Sequence, residues 1–159
     1  MLTILTVAAN KVGIAPALLV AVCHTETNLK NIHNMDDKGS PSYGVCQVKY
    51  DTVKWMAKIS NNYKMSRWTD QDLKIPSKNA EAAAVYLKYQ LNRYDNNWCA
   101  AIAAYNAGSA IESKVAPGKP RNYLYVTRVK SKIVPNRDIA NLLVCEDAFK
   151  EKEDVKRNP

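Results

Sequence analysis

The run Pro16-Ala-Leu-Leu-Val-Ala-Val-Cys23 is apolar on almost every side of the helix it would form. A helix without a polar face has to be surrounded by other protein, so the chain must supply elements that bury it. The rest of the sequence supplies mostly helices. Leu2–Lys11 reads as a short helix broken by Gly13, and Pro16 suits the first turn of the next, which runs to about Glu26. Asp51–Ile59 returns to helix, and Thr69-Asp-Gln-Asp72 has the form of a capped helix start, with Asp in place of the usual Glu or Gln. Ser77 is placed to cap a long helix, Lys78 to about Tyr94, with Ala80, Ala83, Ala84, Leu87 and Leu91 at core spacing. Trp98–Asn106 is apolar and meets a C-cap signal at Gly108. Tyr123–Lys132 is amphipathic and is stopped by Pro135, and a charged C-terminal helix is expected over 138–157.

Between Asn28 and Gly44 the chain turns polar and carries Gly39, Pro41 and Gly44, the composition of a long loop that shapes a cleft. No alternating run is long enough for an extended sheet, although a small β-hairpin fits within the 30–48 region, near Asn34–Val48. The expected fold class is therefore mainly α, with that hairpin as its only β structure. The length of 159 residues fits a single domain over 1–159, able to bury its core without staples.

Composition narrows the partners. The net charge is +8, and Lys114, Lys119, Arg121, Arg128, Lys130, Lys132 and Arg137 follow one another without an intervening acid. Such a basic segment over 114–137 favours an anionic partner, such as a cell envelope, or serves solubility. It lacks the aromatic interleaving of a nucleic-acid-binding fold, so no specific nucleic acid is expected. No apolar run reaches the roughly 18 residues that span a bilayer, and Met1–Ala9 has no basic flank, so it reads as a helix and not as a secretory signal. Cys23, Cys46, Cys99 and Cys145 form no CxxC pair and match no zinc spacing. They read as small buried hydrophobes of a reduced protein, with one disulfide left open. His24 and His33 lack organised partners, so neither a metal nor a cofactor is expected.

Three short segments carry chemistry. Glu26 closes the apolar helix, where partial burial and the negative end of the helix dipole both favour a protonated carboxyl, the state a general acid needs. The same position also suits a solvated or ion-paired helix-end acid. Ser42-Tyr-Gly-Val-Cys-Gln-Val48 sets Gly44, which permits close backbone approach, beside Gln47, whose amide can both donate and accept. Ala104-Tyr-Asn-Ala-Gly108 ends a helix with Tyr105 and Asn106, which could bind sugar or simply precede a cap.

Taken in order, these pieces resemble the lytic transglycosylase SLT domain, a relative of goose-type lysozymes, over about Ala8–Val129. Gly13-Ile-Ala-Pro16 through Leu18-Leu-Val-Ala21 to Glu26-Thr27 resembles the family's "G-x-x-P…L-L-x-A-x-x-x-x-E-S". Ser42-x-Gly44-Val-Cys-Gln47 resembles "S-x-G-L-M-Q". Pro76-x-x-Asn79 with Tyr86-Leu87 and Leu91, then Ala104-Tyr-Asn-Ala-Gly108, then Tyr125-Val126-x-x-Val129, complete the set. The resemblance implies a lysozyme-like helical fold and an enzyme that cleaves peptidoglycan glycan strands, with Glu26 as acid and base. It implies that Thr27 is a helix-end neighbour, that Gln47 and the Cys46 backbone line an N-acetyl subsite with Ser42 and Gly44, and that Tyr105, Asn106 and Tyr125 support the acid or the cleft.

Two departures stand out: Cys46 replaces a usual Met, and Arg121 replaces a Glu that places substrate in many members. The resemblance leaves the product open between a transglycosylase, which needs one carboxylate, and a muramidase, for which Asp37 would assist water. A non-catalytic phage or secretion module on the same fold is the third alternative. A monomer, encoded by a phage and acting on the bacterial wall as a lysin or virion-borne enzyme, is the expected setting.

Overall fold

The apolar run folds as the sequence requires. In the computed structural model, helix α2 (Pro16–Thr27) has Pro16 in its first turn and buries Leu18, Leu19, Ala21, Val22 and Cys23. The structure describes residues 1–37, 39–60, 62–133, 145 and 149. They fall into two compact units, Met1–Lys88 and a second that begins at Tyr89.

In the first unit, α1 (Leu2–Val12) ends at Gly13 in the left-handed conformation, with φ 67°, and its N–H caps the carbonyls of Ala9 and Asn10. After α2 comes a three-stranded antiparallel sheet of β1 (Asn34–Asp37), β2 (Ser40–Tyr43) and β3 (Val48–Lys49), in that spatial order. The hairpin allowed by the sequence is thus present, with a third short strand. Helices α3 (Tyr50–Ile59) and α4 (Tyr63–Ser66) follow. The capped start at Thr69 is real: Thr69 N–H donates to the Asp72 carboxylate at 2.7 Å, but the element it opens is a short 3-10 turn, Asp70–Lys74. Lys78 also donates to Asp72, and that bond, with the Thr69 N–H, holds the carboxyl below its usual range. Helix α5 (Pro76–Arg93) starts two residues before the expected boundary, because Pro76 fits a first helical turn better than Ser77 fits a cap. Leu5, Leu18, Leu19, Val22, Val53, Met56, Met65 and Leu73 form a fully buried core.

In the second unit, left-handed Asp95 and Asn96 turn the chain out of α5 and into α6 (Trp98–Ala107). The Asn97 side chain caps α6 by accepting from Ala100 N–H at 2.9 Å. Trp98 through Tyr105 are all buried, so α6 is apolar all round like α2, and Gly108 closes it in the left-handed conformation. A loop held by Arg93, which donates to the Gly108 carbonyl at 2.9 Å, leads to α7 (Tyr123–Lys132). The helix expected over 138–157 lies outside the described residues, as does Arg137 of the basic segment.

The reading of the cysteines needs correction. Cys23 bonds to Cys46 and Cys99 to Cys145, with no free cysteine among the described residues. The bonded partners are 23 and 46 residues apart, so no local spacing announced them. In the chain-entropy account each bridge contributes roughly 3 to 4 kcal/mol by restricting the unfolded chain.

Candidate active site

The last turn of α2 sets the position of Glu26, which is half-buried. Its neighbours are tied to the loop that follows β2. Thr27, itself buried, donates its hydroxyl to the Val45 carbonyl at 2.7 Å. Cys23, one turn earlier on the same helix face, is bonded to Cys46. The end of the helix and the loop Tyr43-Gly-Val-Cys-Gln47 are therefore joined by one covalent bond and one hydrogen bond, on either side of Glu26 in sequence.

The loop has a further anchor that the sequence reading left without a role. Asn79, fully buried in the first turn of α5, accepts from Cys46 N–H at 2.9 Å and donates to the Tyr43 carbonyl at 2.7 Å and the Leu73 carbonyl at 3.1 Å. One side-chain amide thus satisfies three buried backbone groups. It also explains Gly44. A Cβ on Gly44 would fall into the Asn79 amide, 2.8 Å from its oxygen, and the residue has φ +73°. The close approach that Gly44 permits in the structure is to Asn79.

Gln47 adopts a positive φ of 50°, which costs a non-glycine residue roughly 1 to 2 kcal/mol. Its amide offsets that cost locally. Nε2 donates to the carbonyls of Ile32 and Gly44, both at 2.9 Å, and Oε1 accepts from the fully buried Ser42 hydroxyl at 2.6 Å. One lone pair of Oε1 remains for a further donor. Gly44 N–H donates to His33 Nδ1 at 3.2 Å, so His33 also holds this loop.

Asp37 ends β1, and Lys49 of β3 reaches it twice, donating to its backbone carbonyl at 2.7 Å and lying 3.6 Å from its carboxylate. A cavity of about 240 Å³ is lined by Ser40, Pro41, Tyr43, Lys49, Tyr50, Asp51 and Asp70; Glu26, Thr27, Asp37, Ser42, Gly44, Cys46 and Gln47 are not among its lining residues. There burial, reinforced by the Asp70 carboxylate that accepts from its hydroxyl at 3.3 Å, pushes the Tyr43 pKa up.

In the second unit, Tyr105 is buried in the last turn of α6 and Asn106 is exposed beside it. Asn122, just before α7, donates to the Ala103 carbonyl and to Asn106 Oδ1, both at 3.0 Å. Asn106 therefore serves a helix-to-loop tie. Tyr125 is buried in α7, with the Arg128 guanidinium 5.9 Å from its ring centre. Arg121 is exposed, and its N–H donates to the Ile111 carbonyl at 2.7 Å.

Comparison with known families decides what these parts belong to. The family described as the transglycosylase SLT domain matches residues 4–120. The chain belongs to the transglycosylase SLT domain family. The SLT match takes in Glu26, Thr27, Asp37, Ser42, Gly44, Cys46, Gln47, Tyr105 and Asn106, and ends before Tyr125. Among solved structures, the SLT chain is similar to an inactive glutamate-to-glutamine mutant of the lytic transglycosylase Slt from Pseudomonas aeruginosa, at a TM-score of 0.58 and 17% identity. The alignment covers 96% of this chain and 24% of that one, so this chain spans about a quarter of its relative's length. The likeness establishes a shared lysozyme-like helical fold. A search of curated proteins by sequence finds no match.

Proposed function

We propose that this SLT domain cleaves the β-1,4 bond between MurNAc and GlcNAc in peptidoglycan as a lytic transglycosylase, with Glu26 as the acid and then the base. The observation that carries this reading is the fastening of the Glu26 turn to the Gly44–Gln47 loop through Cys23–Cys46 and Thr27–Val45 in a chain of this family. A general acid must be held within reach of its leaving group, and a doubly tied turn does that.

The proton balance needs one carboxyl group. Protonated Glu26 gives its proton to the bridging O4 as the C1–O4 bond breaks, and the substrate's N-acetyl oxygen stabilises the charge at C1. The Glu26 carboxylate then takes the proton of the MurNAc C6 hydroxyl as O6 bonds to C1. The product is a 1,6-anhydro sugar, no water is consumed, and Glu26 ends protonated. In this scheme the free lone pair of Gln47 Oε1 accepts from the N-acetyl N–H. Supporting roles for Tyr105, Asn106 and Tyr125 rest on the family resemblance. The exposed cations Lys114, Arg121, Arg128 and Lys132 favour an anionic envelope as the surface on which the enzyme works.

The muramidase alternative requires a second carboxylate free to activate water, roughly 6.5–9.5 Å from the acid for inversion. The double engagement of Asp37 by Lys49 favours a hairpin role for it instead. A non-catalytic module would have no use for an acid at the end of a buried helix. Mass spectrometry of peptidoglycan digested by the protein separates the three readings. Anhydro-muropeptides are expected, new reducing ends would establish hydrolysis, and an undigested wall would leave only the binding module.

A further inference from the structure

The Cys23–Cys46 bridge does more than staple a core. Cys23 and Thr27 stand four residues apart on one face of α2, and they hold Cys46 and Val45 respectively. The loop they hold contains the left-handed residues Gly44 and Gln47, and Cys46 stands where the family resemblance expects methionine. Both cysteines are fully buried, so two unbonded thiols there, which need more room than a bonded pair, would press on a packed interior.

We infer that the Cys23–Cys46 disulfide is a redox lock on the Glu26 site. Formed, it holds the Gly44–Gln47 loop against the last turn of α2. Reduced, it leaves the loop to its hydrogen bonds with Thr27, Asn79 and His33 and loosens it, so the chain is weakly lytic where thiols are kept reduced and fully lytic on the oxidising side of a membrane. This regulation rests on the assignment of Glu26 as the acid.

The chemistry closes with a small-molecule or protein disulfide, R–S–S–R, as oxidant. The thiolate of one cysteine attacks a sulfur of R–S–S–R, forming a mixed disulfide and expelling RS⁻. The thiolate of the other cysteine then attacks the protein sulfur of that mixed disulfide, the Cys23–Cys46 bond forms, and a second RS⁻ leaves. Two protein thiols lose two electrons and two protons, and R–S–S–R is reduced to two thiols. Because neither sulfur is reachable in the folded chain, the lock is set while the chain folds and reports the compartment in which that happened.

The test uses the whole chain, folded from urea with or without a phosphine reductant, beside a Cys23→Ala/Cys46→Ala double variant and a Cys99→Ala/Cys145→Ala double variant. Three quantities are read: alkylation of each cysteine, amide exchange of the 43–48 segment, and lysis of purified peptidoglycan. The parent folded without reductant is expected to show no alkylation at Cys23 or Cys46. Folding it with reductant should speed exchange in 43–48 by about tenfold or more and slow lysis by a similar factor. The Cys23→Ala/Cys46→Ala variant should resemble the reduced parent under both conditions, and the Cys99→Ala/Cys145→Ala variant should keep the response to reductant. Alkylation of Cys23 or Cys46 in the parent folded without reductant would overturn the lock, as would equal exchange, or equal lysis, in the oxidised and reduced parent. If the oxidised parent lyses no wall, the Glu26 assignment falls, and exchange alone decides the lock. If neither the reduced parent nor the Cys23→Ala/Cys46→Ala variant shows helical circular dichroism, the bridge is a requirement of folding and the lock is refuted.

Discussion

The turn that carries Glu26 and the turn that carries Tyr105 are both C-terminal ends of largely apolar helices, yet they are built differently. The Tyr105 turn is closed by left-handed Gly108, and the residues that border it are held by Asn122, which donates to Ala103 and Asn106, and by Arg93, which donates to Gly108. The Glu26 turn is capped as locally, by left-handed Asn28 donating its N–H to the His24 carbonyl at 2.9 Å, but it is also tied to one loop by a buried hydrogen bond and a disulfide, and that loop is anchored again by buried Asn79, 33 residues beyond Cys46. Local capping suffices to end a helix. Fixing one carboxyl group relative to a loop calls for links from several directions.

That contrast can be broken by mutation, and the largest expected effect is at the acid itself. Glu26→Gln should leave circular dichroism and thermal unfolding near those of the parent while lowering peptidoglycan lysis by about two to four decades, the range for loss of a general acid. A folded Glu26→Gln protein that still lyses walls at the parent rate would remove the assignment. Asn79→Ala should come next. It leaves a buried N–H and two buried carbonyls without their partner, at a cost of roughly 3 kcal/mol or more in urea denaturation. Asn122→Ala, the corresponding loss beside the Tyr105 turn, should cost only about 1 kcal/mol. Equal losses for the two asparagines would erase the contrast.

The two turns also differ in how far the sequence disclosed them. The α6 end was legible because its signals are contiguous: an apolar run, then Asn, then a glycine at the cap. The apolar helix α2 and the hairpin were legible for the same reason, through periodicity and turn residues. The three-way anchoring of the loop was not. An asparagine in an alanine-rich helix start looks like any polar residue near a cap until Cys46, Tyr43 and Leu73 are seen around it. Cysteines 23 residues apart carry no mark of pairing, which is why they read as reduced. Gly44 was legible as a place of close approach, but the thing approached is Asn79. Gln47 was legible as an amide with two capabilities, while its engagement with Ile32, Gly44 and Ser42 depends on a backbone conformation that only the folded loop imposes.

Two smaller effects sharpen the comparison. Tyr105→Phe removes a hydroxyl without emptying its packing space, and it should lower lysis by about tenfold, less than Glu26→Gln; steady-state lysis rates for the two variants check the order, and a reversal would make Tyr105 the more important group. The smallest effect concerns Asp72, whose carboxyl is held below its usual range near 3.8 chiefly by Lys78. A folded-state value below the unfolded one stabilises the protein above the unfolded value and is lost as pH falls through the folded one. The melting temperature of the parent should therefore exceed that of Asp72→Ala near neutrality, and the gap should shrink as pH falls below the ordinary value of 3.8. A gap that stays constant from pH 7 to pH 2 would mean that ionisation of Asp72 is irrelevant to stability.

The nesting of Gly44 against Asn79 has an evolutionary consequence. A methyl group at position 44 collides with the amide at position 79, so the steric part of the damage from Gly44→Ala disappears once position 79 is shortened to alanine. The two substitutions together should then harm the protein less than the sum of their separate costs. A lineage departing from this pair has no smooth single-step route: each change alone passes through a less stable intermediate, and the two positions are held together as a unit of inheritance.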